Sequence, residues 1–171
     1  MSLVELVASD GSAVGTSTVE AAHEPPGRLH RAFSVLLLDE SGRLLLQRRA
    51  AVKTRFALRW ANTCCGHPRP GEPVATAAAR RLTEEMGVAS VALSEVGVYV
   101  YRAADPDSGR VEHEYDHVLV GRLDAAAPFD YDPAEVAAVE WVSTGLLRLD
   151  VELNPERYAP WLAGVLDVAD Q

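Results

Sequence analysis

Apolar residues in this chain come in short runs separated by turn-forming clusters. Val4-Glu5-Leu6-Val7 reads as a short strand and Asp10-Gly11 as a turn after it. Phe33 to Leu38 is a nearly unbroken apolar run, the pattern of a buried strand. Asp39-Glu40-Ser41-Gly42 turns the chain, and Leu44 to Arg49 returns as the second arm of a hairpin. Pro73 to Met86 reads as a helix, with Pro73 near the first turn and Gly87 ending it; its alanine-rich interior predicts close packing. Val96 to Tyr101 alternates as a strand, and Asp105-Pro106-Asp107-Ser108-Gly109 turns it. Glu112 to Leu123 forms another strand, apolar mainly in its second half. Val139 to Val142 adds a strand, Ser143 is placed to cap a short helix, and Pro155 to Val168 closes the chain as a helix. Strands and helices alternate without regular βαβ spacing, which predicts an α+β fold, a mixed sheet flanked by helices. No repeat or linker interrupts it, so residues 1–171 read as one domain, with an N-terminal extension over about residues 1–27.

A length of 171 residues supports a proper core, and 48% hydrophobic residues exclude a disordered chain. No apolar run is long enough to span a bilayer, so no membrane partner is expected. The start, Met1-Ser2-Leu3-Val4-Glu5, has neither a basic region nor a cleavage pattern, so no signal peptide is expected. The two cysteines are neighbours, a poor arrangement for a disulfide, which points to reduced thiols and a cytoplasmic location. A net charge of -9 argues against nucleic acid as a partner. Basic charge is nevertheless local: Arg48, Arg49, Lys53 and Arg55 precede the cysteines, and Arg80 and Arg81 follow them. Such a pocket in an acidic protein concentrates the field on a small anion.

Cys65 lies beside His67 and near these arginines, and cationic neighbours are expected to lower its pKa and make it a usable acid or base. Taken alone, a small buried core residue is the commoner fate of a cysteine, and Cys64 is assigned that role. Glu112 and Glu114 share one face of a strand and His113 points away; the ordinary alternative is a solvated face. With His23, His30 and His67 they would suit a borderline cation such as Mn²⁺ or Zn²⁺, although spacing does not show that they converge. Glu72, Glu84 and Glu85 lie at or on the helix; adjacent Glu84 and Glu85 cannot share a direction, and either could reach Mg²⁺. Tyr101 and Trp161 are large aromatics, suited to core packing or to presenting a π-face to a cation.

The spacing Gly66, five residues, Glu72, seven residues, Arg80, then Leu82-x-Glu84-Glu85-x-Gly87-Val88 resembles the Nudix box, a loop-helix-loop that holds divalent cations against a diphosphate. Arg81 stands where hydrolases of that superfamily carry a glutamate. Over nearly its whole length the chain also resembles the type I isopentenyl-diphosphate isomerases, Nudix members. The matching pieces are Ala21-Ala22-His23, Arg28 to Ser34, Leu45 to Ala50, Trp60 to Pro68, Tyr101-Arg102-Ala103, Val111 to Glu114 and Pro160-Trp161. Family members often place a lysine ahead of the first metal histidine, where this chain has Val19, Glu20, Ala21 and Ala22.

The resemblance implies a Nudix fold, with one metal histidine, His23, on the N-terminal extension. It also implies interconversion of isopentenyl and dimethylallyl diphosphate through a carbocation. Cys65 and Glu114 would be the proton-transfer groups on opposite faces of the substrate, Tyr101 would assist, and the Trp161 ring would stabilise the cation. His23, His30, His67, Glu112 and Glu114 would hold Mn²⁺ or Zn²⁺; Glu85 would bind Mg²⁺; Arg49, Lys53 and Arg81 would take the phosphate oxygens. A monomer acting on a small-molecule prenyl diphosphate is expected. The rivals are a Nudix hydrolase of a nucleoside or prenyl diphosphate, and a non-catalytic diphosphate-binding Nudix module.

Overall fold

A computed structural model describes residues 2–171. Its elements in chain order are β1 (Leu3–Val7), β2 (Ala13–Thr18), α1 (Val19–Ala22), β3 (His30–Leu38), β4 (Leu44–Arg49), β5 (Trp60–Ala61), β6 (Cys64–Gly66) and α2 (Val74–Met86). There follow β7 (Ser94–Ala104), β8 (Val111–Arg122), β9 (Val136–Val142), α3 (Thr144–Leu153), a 3₁₀ turn (Pro155–Arg157) and α4 (Leu162–Ala169). The fold is α+β: a mixed nine-stranded sheet with helices packed on it. No helix among the described residues is long and apolar enough to cross a membrane.

β3 is the organising strand. It runs parallel to β8 from His30↔Glu114 to Leu38↔Arg122 and antiparallel to β6 through Ser34↔Cys65. Period-two alternation splits its side chains between two cores. Phe33, Val35 and Leu37 pack with Ala77, Ala78, Leu82 and Met86 of α2, so the alanines let the helix approach closely. Leu36 packs on the other face with Leu162, Val165 and Leu166 of α4. β8 divides lengthwise as its sequence suggests: Glu112, Glu114 and Asp116 occupy the α4-side face near the strand start, and Val118 continues that face into the core. The polar halves of β3 and β8 therefore adjoin, because the strands are parallel and in register.

The same alternation separates the two thiols. Cys64 joins the α2 core, fully buried, while Cys65 faces the opposite side and packs beside the α4 core. Gly87 ends α2 in the left-handed conformation at φ 67°, where a Cβ would also strike the Asp130 carbonyl.

Two local expectations change, and two strands are added. The closing helix is interrupted: Pro155 opens a separate 3₁₀ turn, Tyr158 bridges to Trp60, and Ala159 N–H donates to Trp60 O before α4 begins. Proline at 160 favours that extended entry, and Trp161 becomes the N-cap of α4. Ser143 occupies the N-cap position of α3, but its side chain makes no capping bond. Ala13–Thr18 is a strand although it lacks an apolar pattern; it is an edge paired only with β1, and mostly exposed. Cys64–Gly66 is a short strand held by β3, although its sequence carries no strand pattern.

Candidate active site and metal centre

Three histidines and two glutamates converge where β3, β6 and β8 meet the end of α1. One ligand atom from each of His23, His30, His67, Glu112 and Glu114 lies within 4.8 Å of every other. His23 Nδ1 donates to Val19 O at 2.6 Å and His30 Nδ1 donates to Arg28 O at 2.8 Å, since a carbonyl can only accept. That leaves each Nε2 turned to a carboxylate: His23 to Glu112 Oε2 at 3.1 Å, His30 to Glu114 Oε2 at 3.2 Å. His67 Nε2 approaches the same Glu114 oxygen at 3.0 Å. A neutral imidazole with Nδ1 protonated presents a lone pair there, so lone pairs face carboxylate oxygens and a cation between them is the natural complement. Burial pushes His67 down to about 4 despite the pull of Glu114, keeping that imidazole neutral. At His30 burial acts the same way, but hydrogen bonding and the charge of Glu114 outweigh it and raise the pKa. The donor set fits one divalent cation.

The other carboxylate oxygens are also occupied. Tyr101 donates its hydroxyl to Glu114 Oε1 at 2.6 Å, and Arg55 Nε donates to Glu112 Oε1 at 2.8 Å. Burial opposes ionisation of Glu114, but the His30 and His67 contacts outweigh it and hold the pKa well below the usual carboxylate range.

A cavity of about 770 Å³ opens in front of this cluster. Cys65, Glu114 and Trp161 line it together with Arg49, Lys53 and Arg81. Arg55, Arg69 and Arg80 line it as well; the cationic clustering in the sequence flagged Arg55 and Arg80, whereas Arg69 carried no signal of its own. Arg81 donates to Glu84 Oε2 at 2.6 Å and stands 3.6 Å from Glu85 and 3.7 Å from Glu135. Lys53 Nζ donates to Glu135 at 2.5 Å. Arg49 donates to Arg55 O and lays its guanidinium over the Trp161 ring, 5.3 Å from the centroid.

The helix glutamates point apart. Glu84 reaches the cavity; Glu85 is 3% exposed and accepts from the Cys64 thiol at 3.0 Å. Burial raises the Glu85 pKa against the pull of Arg81. Glu72 is taken up by Arg80 and by the backbone N–H of Arg69.

The Cys65 thiol departs from the expectation of a lowered pKa. Burial first, and the carboxyl of Asp116 second, push it up to about 12, and Arg49 does not offset them. The sulfur is held as a neutral thiol, 3.4 Å from Asn62 Oδ1 and 3.7 Å from Ser34 Oγ. Sequence reading missed Asn62, Ser34 and Asp116. Ser34 Oγ donates to Asp116 Oδ2 at 2.7 Å, and Asp116 is fully buried with Oδ1 unpartnered. The period-two position of Asp116 after Glu114 was the available signal.

A family model described as NUDIX domain matches residues 28–163. A protein of Nocardia farcinica named isopentenyl-diphosphate Delta-isomerase is 61% identical over 98% of this chain and 94% of its own length. Proteins of the same name from Streptomyces coelicolor and Halorhodospira halophila are 48% and 45% identical, covering 83% and 91% of those proteins and 98% and 94% of this chain. A crystal structure from Deinococcus radiodurans superposes with a TM-score of 0.78 at 19% identity, covering 97% of this chain and 98% of the other. A MutT protein from Methanosarcina mazei Go1 gives 0.62 at 18% identity, over 83% and 93%. At those identities the two structures speak for the fold alone.

Proposed function

This chain belongs to the Nudix family and, within it, to the isopentenyl-diphosphate Delta-isomerases, and from that premise we propose that Cys65 and Glu114 are its proton-transfer pair. The observation that carries the proposal is their shared cavity. Cys65, Glu114 and the Trp161 ring stand in the same space as six basic side chains. A short hydrocarbon with a diphosphate at one end fits that division.

The cationic part binds and orients. Arg49, Lys53 and Arg81 take the phosphate oxygens, fixing the alkene beside Cys65. The neutral thiol holds the proton that one carbon of the alkene accepts. Glu114 takes a proton from another carbon, and the Tyr101 hydroxyl, which donates to Glu114 Oε1, steadies that carboxylate and assists the transfer. The tertiary cation formed between the two transfers faces the indole of Trp161. His23, His30, His67, Glu112 and Glu114 would hold Mn²⁺ or Zn²⁺, which would supply positive charge that orders the Glu114 carboxylate. Glu85, with Arg81 beside it, is our candidate for Mg²⁺ accompanying the diphosphate, which it would hold only by turning from the Cys64 thiol toward the cavity that Glu84 lines.

Arg81 bears on the hydrolase alternative, since it puts a cation where that chemistry uses a carboxylate. Incubation with isopentenyl diphosphate, followed by separate assays for dimethylallyl diphosphate and released phosphate, tests the choice. Isomer without phosphate is expected; phosphate without isomer would overturn the proposal.

A further inference from the structure

Asn62 is fully buried between β5 and β6, and every hydrogen-bonding capacity of its side chain is used. Nδ2 donates to Val35 O at 3.2 Å and to Cys64 O at 3.1 Å, which pins the amide to β3 and β6. Oδ1 takes the indole Nε1–H of Trp161 at 2.9 Å and the thiol of Cys65 at 3.4 Å. The orientation of the amide is not arbitrary. The two carbonyls can only accept and the indole N–H can only donate, so nitrogen must face the strands and oxygen the cavity side.

We infer that Asn62 is a positioning residue: its single carbonyl oxygen holds the Cys65 thiol and the Trp161 ring in one fixed relation. The inference rests on the isomerase mechanism above and adds a residue to it. Cys65 arrives on β6 and Trp161 at the start of α4, elements far apart in sequence. No hydrogen bond joins the thiol to the indole directly. Phe56 meets the Trp161 ring edge-on at 5.7 Å and Arg49 covers a face, so those contacts set its plane. Only the bond to Asn62 ties the ring's N–H edge to the atom that also orients the thiol. The other group near the sulfur, Ser34 Oγ, is farther away at 3.7 Å. Proton donation to carbon and stabilisation of the resulting cation need donor and ring placed together, and small misplacement is costly. Asn62 does not line the cavity and touches none of its cations. Its influence should therefore appear in kcat and leave substrate binding alone.

The test compares kcat and KM for isopentenyl diphosphate in the parent, Trp161→Phe, Asn62→Ser and the double variant. It adds the rate at which iodoacetamide alkylates Cys65, read by peptide mass spectrometry. Each single change is expected to lower kcat about tenfold or more, with KM within about threefold, and to alter the alkylation rate. The double variant should fall no further than the worse single, because both changes break one shared tie. Independent, multiplying losses would overturn the inference, as would effects confined to KM. If Asn62→Ser does not fold, Trp161→Phe decides alone, since it leaves both amide–carbonyl bonds in place. A slowed kcat with altered Cys65 alkylation supports the tie; parental kcat or unchanged alkylation rejects it. A parent that makes no isomer would instead reject the mechanism on which the inference rests.

Discussion

His30 lies directly across the parallel β3–β8 pair from Glu114, and its Nε2 comes within 3.2 Å of Glu114 Oε2. Backbone register thus supplies two members of the cluster without help from any loop. β6, antiparallel on the other edge of β3, brings Cys65 opposite Ser34, so β3 sets both the cation cluster and the thiol.

The first prediction separates the two thiols. Cys65→Ser should fold with parental stability and bind diphosphate, yet lose turnover by roughly 10²–10⁴-fold, the usual worth of a positioned acid. Cys64→Ser should keep turnover within a few fold, because its hydroxyl can still donate to Glu85, where the thiol donates now. Steady-state rates and melting curves for both variants check this; the reverse pattern would exchange the roles of the thiols.

Much of this site was legible in the sequence because alternation is a strong signal. Glu112 and Glu114 on one face, and His113 off it, follow from period two alone. The convergence of His23, His30 and His67 did not follow, since it depends on the β3–β8 register and on α1 returning His23 to that end of the sheet. The Cys65 environment was misjudged for a physical reason: nearby arginines are visible in sequence, whereas burial and Asp116, which outweigh them, are not. The closing helix is shorter than Pro155 to Val168 because Tyr158 and Ala159 pair with Trp60, a long-range contact that ends the first turn before α4 begins.

The second prediction concerns the cation cluster. Protein purified without a polyhistidine tag should carry about one Mn or Zn per chain, as the donor types suggest. Arg55 Nε fixes Glu112 Oε1 and leaves Oε2 toward His23. Arg55→Ala should weaken metal affinity about 10–100-fold, the usual cost of losing an outer hydrogen bond to a ligand. Competition with a chelator of known affinity measures it; unchanged metal affinity would detach Arg55 from the site.

The third prediction concerns diphosphate. Arg81 is partly exposed in the cavity and already leans on Glu84. Removing a charged contact to phosphate costs about 1.5–3 kcal/mol, so Arg81→Ala should raise KM about tenfold or more with metal saturating. Unchanged KM would mean that the diphosphate does not reach this side chain.

The fourth prediction lies away from the site. Asp39, in the β3–β4 turn, accepts from Ser41 and from the backbone and side chain of Arg43. Burial would raise its pKa, but these donors outweigh it and lower the value to about 2 from 3.8. A lowered folded-state pKa gives stability that is fully present above the unfolded value and is lost as pH falls through the folded one. Asp39→Asn should therefore melt below the parent at neutral pH, and the gap should close between about pH 4 and pH 2. A gap independent of pH would assign the loss to geometry and not to charge.

On this mechanism two protein groups, Cys65 and Glu114, move the protons. The most direct measurement is deuterium incorporation from D₂O into isopentenyl and dimethylallyl diphosphate, followed by NMR, for the parent, Cys65→Ser and Glu114→Gln. The parent should place deuterium in both compounds without releasing phosphate, and each variant should lose that exchange by orders of magnitude while remaining folded. Parental exchange in either folded variant would contradict the assignment of that residue, and a parent that releases phosphate without exchange would contradict the isomerase mechanism itself.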